Sequence, residues 1–158
     1  MPEYRVGTGF DAHALEEGVP LVLGGMTFRS ARGLAGHSDG DVIAHALIDA
    51  IVGPVGLGDI GTLFPSGQKT PEGVSSLKLL AEAYADVRRL GWKLANADVV
   101  FIGNEPHIGP VRREMEGMLD SVLGGDGLVT VRATTTDGLG FTGRGEGLAA
   151  QAVALLVR

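Results

Sequence analysis

Polar and apolar positions along this 158-residue chain change period several times, and each change marks an element. Tyr4 to Gly9 alternates and predicts a short strand. Val19 to Ser30, VPLVLGGMTFRS, predicts two strands joined at Gly24-Gly25, a dipeptide suited to a two-residue hairpin turn. Asp41 to Val52 predicts a helix, capped by Ser38 or Asp39 and stopped at Gly53-Pro54. Val74 to Leu90 repeats at the helical period, with Leu77, Leu80, Ala81 and Tyr84 on its apolar stripe and Gly91 as its C-cap. Ala97 to Ile102 is a compact apolar strand. Pro110 to Leu123 predicts a helix turning Val111, Met115, Met118, Leu119 and Val122 inward, and Leu128 to Thr135 alternates as a strand. Gly147 to Val157 is apolar nearly all round, which predicts a closing helix, either central or packed on another subunit.

Helices alternating with strands in the second half predict an α/β fold, a single layered domain over residues 1–158 with a mixed sheet packed by helices on one side. No internal repeat interrupts it. The longest irregular stretch, Gly56 to Gly73, has the length of a functional loop.

Composition narrows the chemistry. The chain has no Cys, so disulfides and thiolate metal sites are excluded and any metal must be held by His, Asp or Glu. A net charge of −6, from 13 basic and 19 acidic residues, leaves no basic stripe for nucleic acid. The first residues do not open a secretory leader. The longest apolar run, Leu148 to Val157, is broken by Gln151 and is about half of the ~20 residues that span a bilayer. A cytoplasmic protein without nucleic-acid or membrane partners is expected. Glycine is abundant, 26 residues, and clusters around the polar motifs, where backbones turn tightly or approach a ligand.

Asp41, His45 and Asp49 lie four apart, on one face of an otherwise apolar helix. A solvated face, or a core His satisfied by a neighbour on its helix, is the plain alternative. Asp11-Ala12-His13, directly after the first strand, presents an acid and an imidazole on a shared face. Asp11, His13 and His45 together make a two-His, one-carboxylate set with an open fourth position, the pattern of catalytic zinc. Asp49 or Asp41 is then placed to accept the other N–H of the His45 imidazole. Gly7-Thr8-Gly9-Phe10-Asp11-Ala12 matches a dinucleotide fingerprint, but a hairpin follows it rather than a helix, and it is rejected. Asp39-Gly40-Asp41 lacks the glycine and glutamate that a calcium loop requires.

The second constellation is TTTDGLGFTGRGEG, Thr134 to Gly147. Its hydroxyls, turn N–H groups and Arg144 suit a phosphate, and Asp137 suits a divalent cation bridging phosphoryl oxygens; a glycine-rich turn ending a strand is the plain alternative. His37-Ser38, just before the helix, is placed to stabilise charge in phosphoryl transfer.

GTGFDAH, HSDGDVIAHALIDA, GLGDIGTLFP and ATTTDGLGFTGRGEG, in this order over the whole chain, resemble the 2-C-methyl-D-erythritol 2,4-cyclodiphosphate synthase family. The resemblance implies the non-mevalonate isoprenoid pathway. It implies as substrate 4-diphosphocytidyl-2-C-methyl-D-erythritol 2-phosphate, whose own 2-phosphate would attack the β-phosphorus and expel CMP. It implies zinc on Asp11, His13 and His45, and magnesium near Asp137. It implies transition-state stabilisation by His37 and Thr135, and substrate phosphate contact by Ser38. Asp59, Ile60, Gly61 and Phe64 then hold the methylerythritol end, while Gly103 to Pro106 and Thr134 to Thr136 line a cytidine pocket from an adjacent subunit. It further implies a homotrimer whose sheets face the threefold axis, with active sites at subunit interfaces. An isoprenoid diphosphate held on that axis by Phe141 and Arg144 is also implied. Four positions depart from the family pattern: Ser66 and Gln68 replace two carboxylates, Asp137 replaces a Glu, and His107 replaces a Lys. A zinc phosphohydrolase, or an isoprenoid-diphosphate-binding protein without turnover, are the competing readings.

Overall fold

The computed structural model describes residues 1–67, 70–126 and 128–158. A long strand β1 (Tyr4–Glu17) opens the fold, followed by β2 (Leu21–Leu23), β3 (Met26–Phe28) and β4 (Arg32–Leu34). Then come α1 (Val42–Val52), α2 (Ile60–Leu63), α3 (Ser76–Arg89), β5 (Lys93–Ile102), α4 (Arg112–Val122), β6 (Val129–Thr134), α5 (Gly140–Gly143) and β7 (Gly147–Val157). The main sheet runs β4-β1-β7-β5-β6, with β5 and β6 parallel and the other pairs antiparallel. It is mixed, as the alternation of elements predicts. β2 and β3 form a separate hairpin turned at Gly24 and Gly25, whose φ values of 57° and 80° are those an Asn-Gly or Gly-Gly turn supplies without strain.

The core lies between the helices and one face of the sheet. α1 is buried along its whole length except at Asp49, because it lies directly on β1 and β7 with α3 covering its other side. On β7 the residues facing the helices are Ala150, Ala152, Ala154 and Leu156, all buried. The residues on its opposite face include Val153, 45% exposed; on β1 that face carries Val6 and Phe10, 68% and 57% exposed.

Four expectations need correction. Gly147 to Val157 is a strand, not a helix: both faces of β7 are apolar, so the alternation that marks a strand is erased. β1 continues eight residues past Gly9, so Asp11-Ala12-His13 sits inside the strand rather than after it. The cap of α1 is Asp41 itself, which accepts from the N–H groups of Ile43 and Ala44, rather than Ser38 or Asp39. The loop after α1 holds the short helix α2, capped by Asp59.

Candidate metal centre and the surrounding active site

Strand parity and helix contact build the centre. Gly7, Gly9, Asp11 and His13 share the face of β1 that looks at α1, since alternate residues point the same way. The glycines let the helix come close, and two residues further along Asp11 and His13 meet His45. Asp11 Oδ2 stands 2.9 Å from His13 Nε2 and 3.0 Å from His45 Nδ1. One donor atom from each residue lies within 4.8 Å of the others, close enough for a single cation to span. The two rings meet edge to face, with centroids 5.3 Å apart.

The outer nitrogens are anchored too. His13 Nδ1 lies 2.5 Å from the carbonyl of Ala35 and donates to it, which leaves Nε2 as the ligating atom. His45 Nε2 lies 2.8 Å from Ser76 Oγ and 3.0 Å from Ser38 Oγ. A carboxylate and two imidazole lone pairs thus converge, which fits a borderline divalent cation of zinc's type.

The placing of Asp41 or Asp49 as acceptor for His45 is corrected. The carboxylate of Asp41 is wholly buried and accepts from four backbone N–H groups, those of Gly24, Gly25, Ile43 and Ala44. It ties the hairpin to the start of α1 and has no hydrogen bond to the imidazole of His45. Burial pushes its carboxyl up to about 6 against the pull of those N–H groups. Asp49 Oδ1 accepts from Ile60 N at 2.8 Å and so anchors α2. Burial raises Asp49 also, partly offset by that bond.

A cavity of about 260 Å³ opens over the trio, lined also by His37, Ser38, Ile60, Gly61, Phe64, Ser66 and Thr70. His37 Nε2 is 2.5 Å from the carbonyl of Thr70. Asp59 stands beside this cavity as the cap of α2, its Oδ1 accepting from the N–H and the hydroxyl of Thr62, both at 2.8 Å. Those bonds hold its carboxyl below the ordinary range. Gln68 lies outside the described residues.

Gly103, Pro106, His107, Thr134 and Thr135 line a different cavity of about 390 Å³, which shares no residue with the first. Thr136 turns away from it, bonding Leu139 O at 2.7 Å and Thr142 Oγ1 at 2.8 Å. Asp137 is exposed, with a φ of 53° and its Oδ1 3.4 Å from the Thr135 hydroxyl. Phe141 is 40% exposed, and Arg144 forks onto Glu146 at 2.8 and 3.3 Å. The chain therefore holds the predicted residues in separate groups.

Sequence reasoning missed Ser76 and Asp39. Ser76 Oγ donates to Asp39 Oδ1 and Ser76 N to Asp39 Oδ2 at 3.0 Å, so the start of α3 is docked beneath His45. Its 31-residue separation from His45 leaves no spacing signal.

The titrations of Asp11 and His13 have defined directions. Burial works to raise Asp11, but hydrogen bonds from His13 and His45, with their charge, bring its carboxyl down to about 2. The same contact raises His13 above its ordinary value, against the opposing effect of its partial burial. For the metal-free protein, the depressed Asp11 stabilises the fold above its unfolded value near 3.8 and loses that contribution as pH falls towards about 2. The raised His13 stabilises below its unfolded value of 6.5, and that contribution fades as pH climbs through its folded value. Metal must displace the His13 proton, so zinc affinity is expected to fall by up to about tenfold per pH unit below the His13 value. Chelator competition at pH 8, 7 and 6 checks this; a flat profile contradicts it.

The family model described as the YgbB family matches residues 4–157. The chain is 47% identical over 154 residues to a protein from Clostridium acetobutylicum named 2-C-methyl-D-erythritol 2,4-cyclodiphosphate synthase, covering 97% of this chain and 99% of that one. It is 49% identical to the protein of the same name from Moorella thermoacetica, covering 97% and 94%. Among solved structures, 2C-methyl-D-erythritol-2,4-cyclodiphosphate synthase in a form bound to CDP superposes with a TM-score of 0.87 at 38% identity, over 96% of this chain and 99% of that one. The bifunctional IspDF from Campylobacter jejuni gives a TM-score of 0.94 at 40% identity, over 99% of this chain and 43% of that longer one.

Proposed function

The chain belongs to the YgbB family, and we infer from this premise that it performs the reaction its relatives are named for, formation of 2-C-methyl-D-erythritol 2,4-cyclodiphosphate. The substrate is 4-diphosphocytidyl-2-C-methyl-D-erythritol 2-phosphate, in the non-mevalonate isoprenoid pathway. An oxygen of its 2-phosphate forms the new bond to the β-phosphorus. The bond from that phosphorus to the bridging oxygen breaks, and CMP leaves with the electron pair. The observation that carries the reading is the convergence of Asp11 Oδ2, His13 Nε2 and His45 Nδ1 beneath a cavity of about 260 Å³.

Because the nucleophile belongs to the substrate, the protein's task is placement and charge neutralisation. Asp11, His13 and His45 hold a divalent cation, zinc by its donor set. When bound, the cation acts as a Lewis acid and template for phosphoryl oxygens. His37, anchored on Thr70, and Ser38 meet the phosphates at the rim, while Asp59, Ile60, Gly61 and Phe64 hold the methylerythritol end. Gly103, Pro106 and Thr134 take the cytidine end, Thr135 stabilises the transition state, and Thr136, bonded to Leu139 O and Thr142, supports the turn beside them.

The two ends are assigned to cavities that share no residue, and the sheet face opposite the helices exposes Tyr4, Val6, Phe10 and Val153. Both support a homotrimer in which each cytidine pocket completes a neighbour's metal site. Phe141 and Arg144 then stand where an isoprenoid diphosphate would sit on the axis. Among the described residues no helix is long and apolar enough to cross a membrane.

Asp137 would offer a carboxylate oxygen to a second cation, a donor suited to magnesium. Asp137→Asn is expected to cost about tenfold or more in turnover, the scale of one lost charge-assisted contact of ~1.5 kcal/mol, and extra magnesium partly restores it. A magnesium titration checks this, and a profile indifferent to magnesium contradicts it. The reaction itself is tested by phosphorus NMR with the stated substrate, zinc and magnesium. Stoichiometric CMP with two coupled resonances of a cyclic diphosphate is expected. CMP with a linear product marks a hydrolase, and no turnover with metal bound marks a binding protein.

A further inference from the structure

Two imidazoles serve the metal centre, and their outer nitrogens are held differently. His13 rests on a backbone carbonyl, which only accepts, so its tautomer is fixed without further help. His45 rests on a hydroxyl, which can donate or accept. A hydroxyl that donated to Nε2 would force the proton of a neutral imidazole onto Nδ1, the atom that faces Asp11 and would bind the cation.

The structure removes that freedom. Ser76 is wholly buried, and its one proton is directed to Asp39 Oδ1. The Asp39 carboxylate can only accept, and it is itself fixed by the N–H groups of Ser76 at 3.0 Å and Asp41 at 3.1 Å. With its proton so committed, Ser76 Oγ offers a lone pair to His45 Nε2, 2.8 Å away. When a cation takes the place of the hydrogen bond to Asp11, the imidazole proton then belongs on Nε2 and Nδ1 presents its lone pair. Ser38 Oγ also approaches Nε2, at 3.0 Å, and accepts from Gly40 N at 3.2 Å, but it lines the cavity and has no carboxylate to take its proton.

We propose that Ser76, oriented by Asp39, is the positioning residue that fixes the tautomer of His45 and thereby sets the centre's affinity for its cation. This rests on the metal reading of Asp11, His13 and His45. The Asp39–Ser76–His45 chain takes the place of the carboxylate that commonly holds a ligating imidazole, with a serine hydroxyl relaying the acceptor character of Asp39.

The test is zinc affinity by chelator competition, measured on the wild type, Ser76→Ala, Ser76→Thr, Asp39→Asn and Ser38→Ala, with thermal melts to confirm that each is folded. Ser76→Ala is expected to weaken zinc by about 10- to 100-fold, as loss of an outer partner does at other metal centres. Ser76→Thr, which keeps the hydroxyl, retains more of the affinity. Asp39→Asn behaves like Ser76→Ala, because an amide can donate to Ser76 and turn its proton onto His45. Affinity within about twofold of wild type in folded Ser76→Ala, or a loss confined to Ser38→Ala, overturns the positioning role alone. A wild type that takes up no zinc overturns the metal reading beneath it. Should Ser76→Ala fail to fold, folded Asp39→Asn decides: zinc affinity weakened about tenfold or more supports the proposal, and affinity within about twofold of wild type overturns it.

Discussion

His45→Ala is expected to abolish zinc binding and to lower turnover by about a thousandfold or more, the rate equivalent of the ~4 kcal/mol that a Lewis acid supplies to phosphoryl charge. The residue is 6% exposed and central to the site: one ring nitrogen faces Asp11 and the other Ser76. Its removal leaves a carboxylate and one imidazole, too few donors for a stable tetrahedral site. The fold should survive, because α1 is held by Val42, Ile43, Leu47, Ile48 and Ile51, which pack into the core independently of His45. Zinc stoichiometry and turnover on the same folded preparation check the prediction. Unchanged stoichiometry contradicts the assignment of the ligand.

Gly9→Ala is expected to destabilise the fold by more than ~3 kcal/mol, beyond the usual cost of overpacking, because the obstruction is backbone. A Cβ there would stand 2.0 Å from the carbonyl oxygen of Ala46, 2.9 Å from its carbon and 3.0 Å from Ala50 N. No rotamer change relieves such contacts, so α1 must lift from β1. For a chain of this size, at roughly 2–4 °C per kcal/mol, the melting temperature falls by about 10 °C. Zinc affinity falls with it, since Asp11 and His13 ride on β1 and His45 on α1. A thermal melt within about 2 °C of wild type contradicts the close approach.

That contact also explains what the sequence could and could not say. Gly7-Thr8-Gly9 imitates a nucleotide loop, yet its glycines serve helix-on-strand packing, a requirement invisible until α1 is seen to cross β1. The hairpin at Gly24-Gly25 and the helices α1, α3 and α4 were legible because turn residues and apolar period agreed. β7 was not, because its exposed face is apolar too, and continuous apolar runs do not distinguish strand from helix. Asp11, His13 and His45 could be named from ligand type and spacing. Their outer partners could not: spacing of four favoured Asp41 and Asp49, whereas backbone N–H groups claim both carboxylates. Ser76 reaches His45 through the tertiary docking of α3, which leaves no local trace.

The central claim is that Asp11, His13 and His45 form one metal centre. A zinc-edge anomalous difference map from crystals of the zinc-loaded protein tests it most directly. A single strong peak is expected, bonded to Asp11 Oδ2, His13 Nε2 and His45 Nδ1 at zinc–ligand distances of about 2.0–2.2 Å. A peak placed elsewhere, or one bonded to His45 through Nε2, would contradict it.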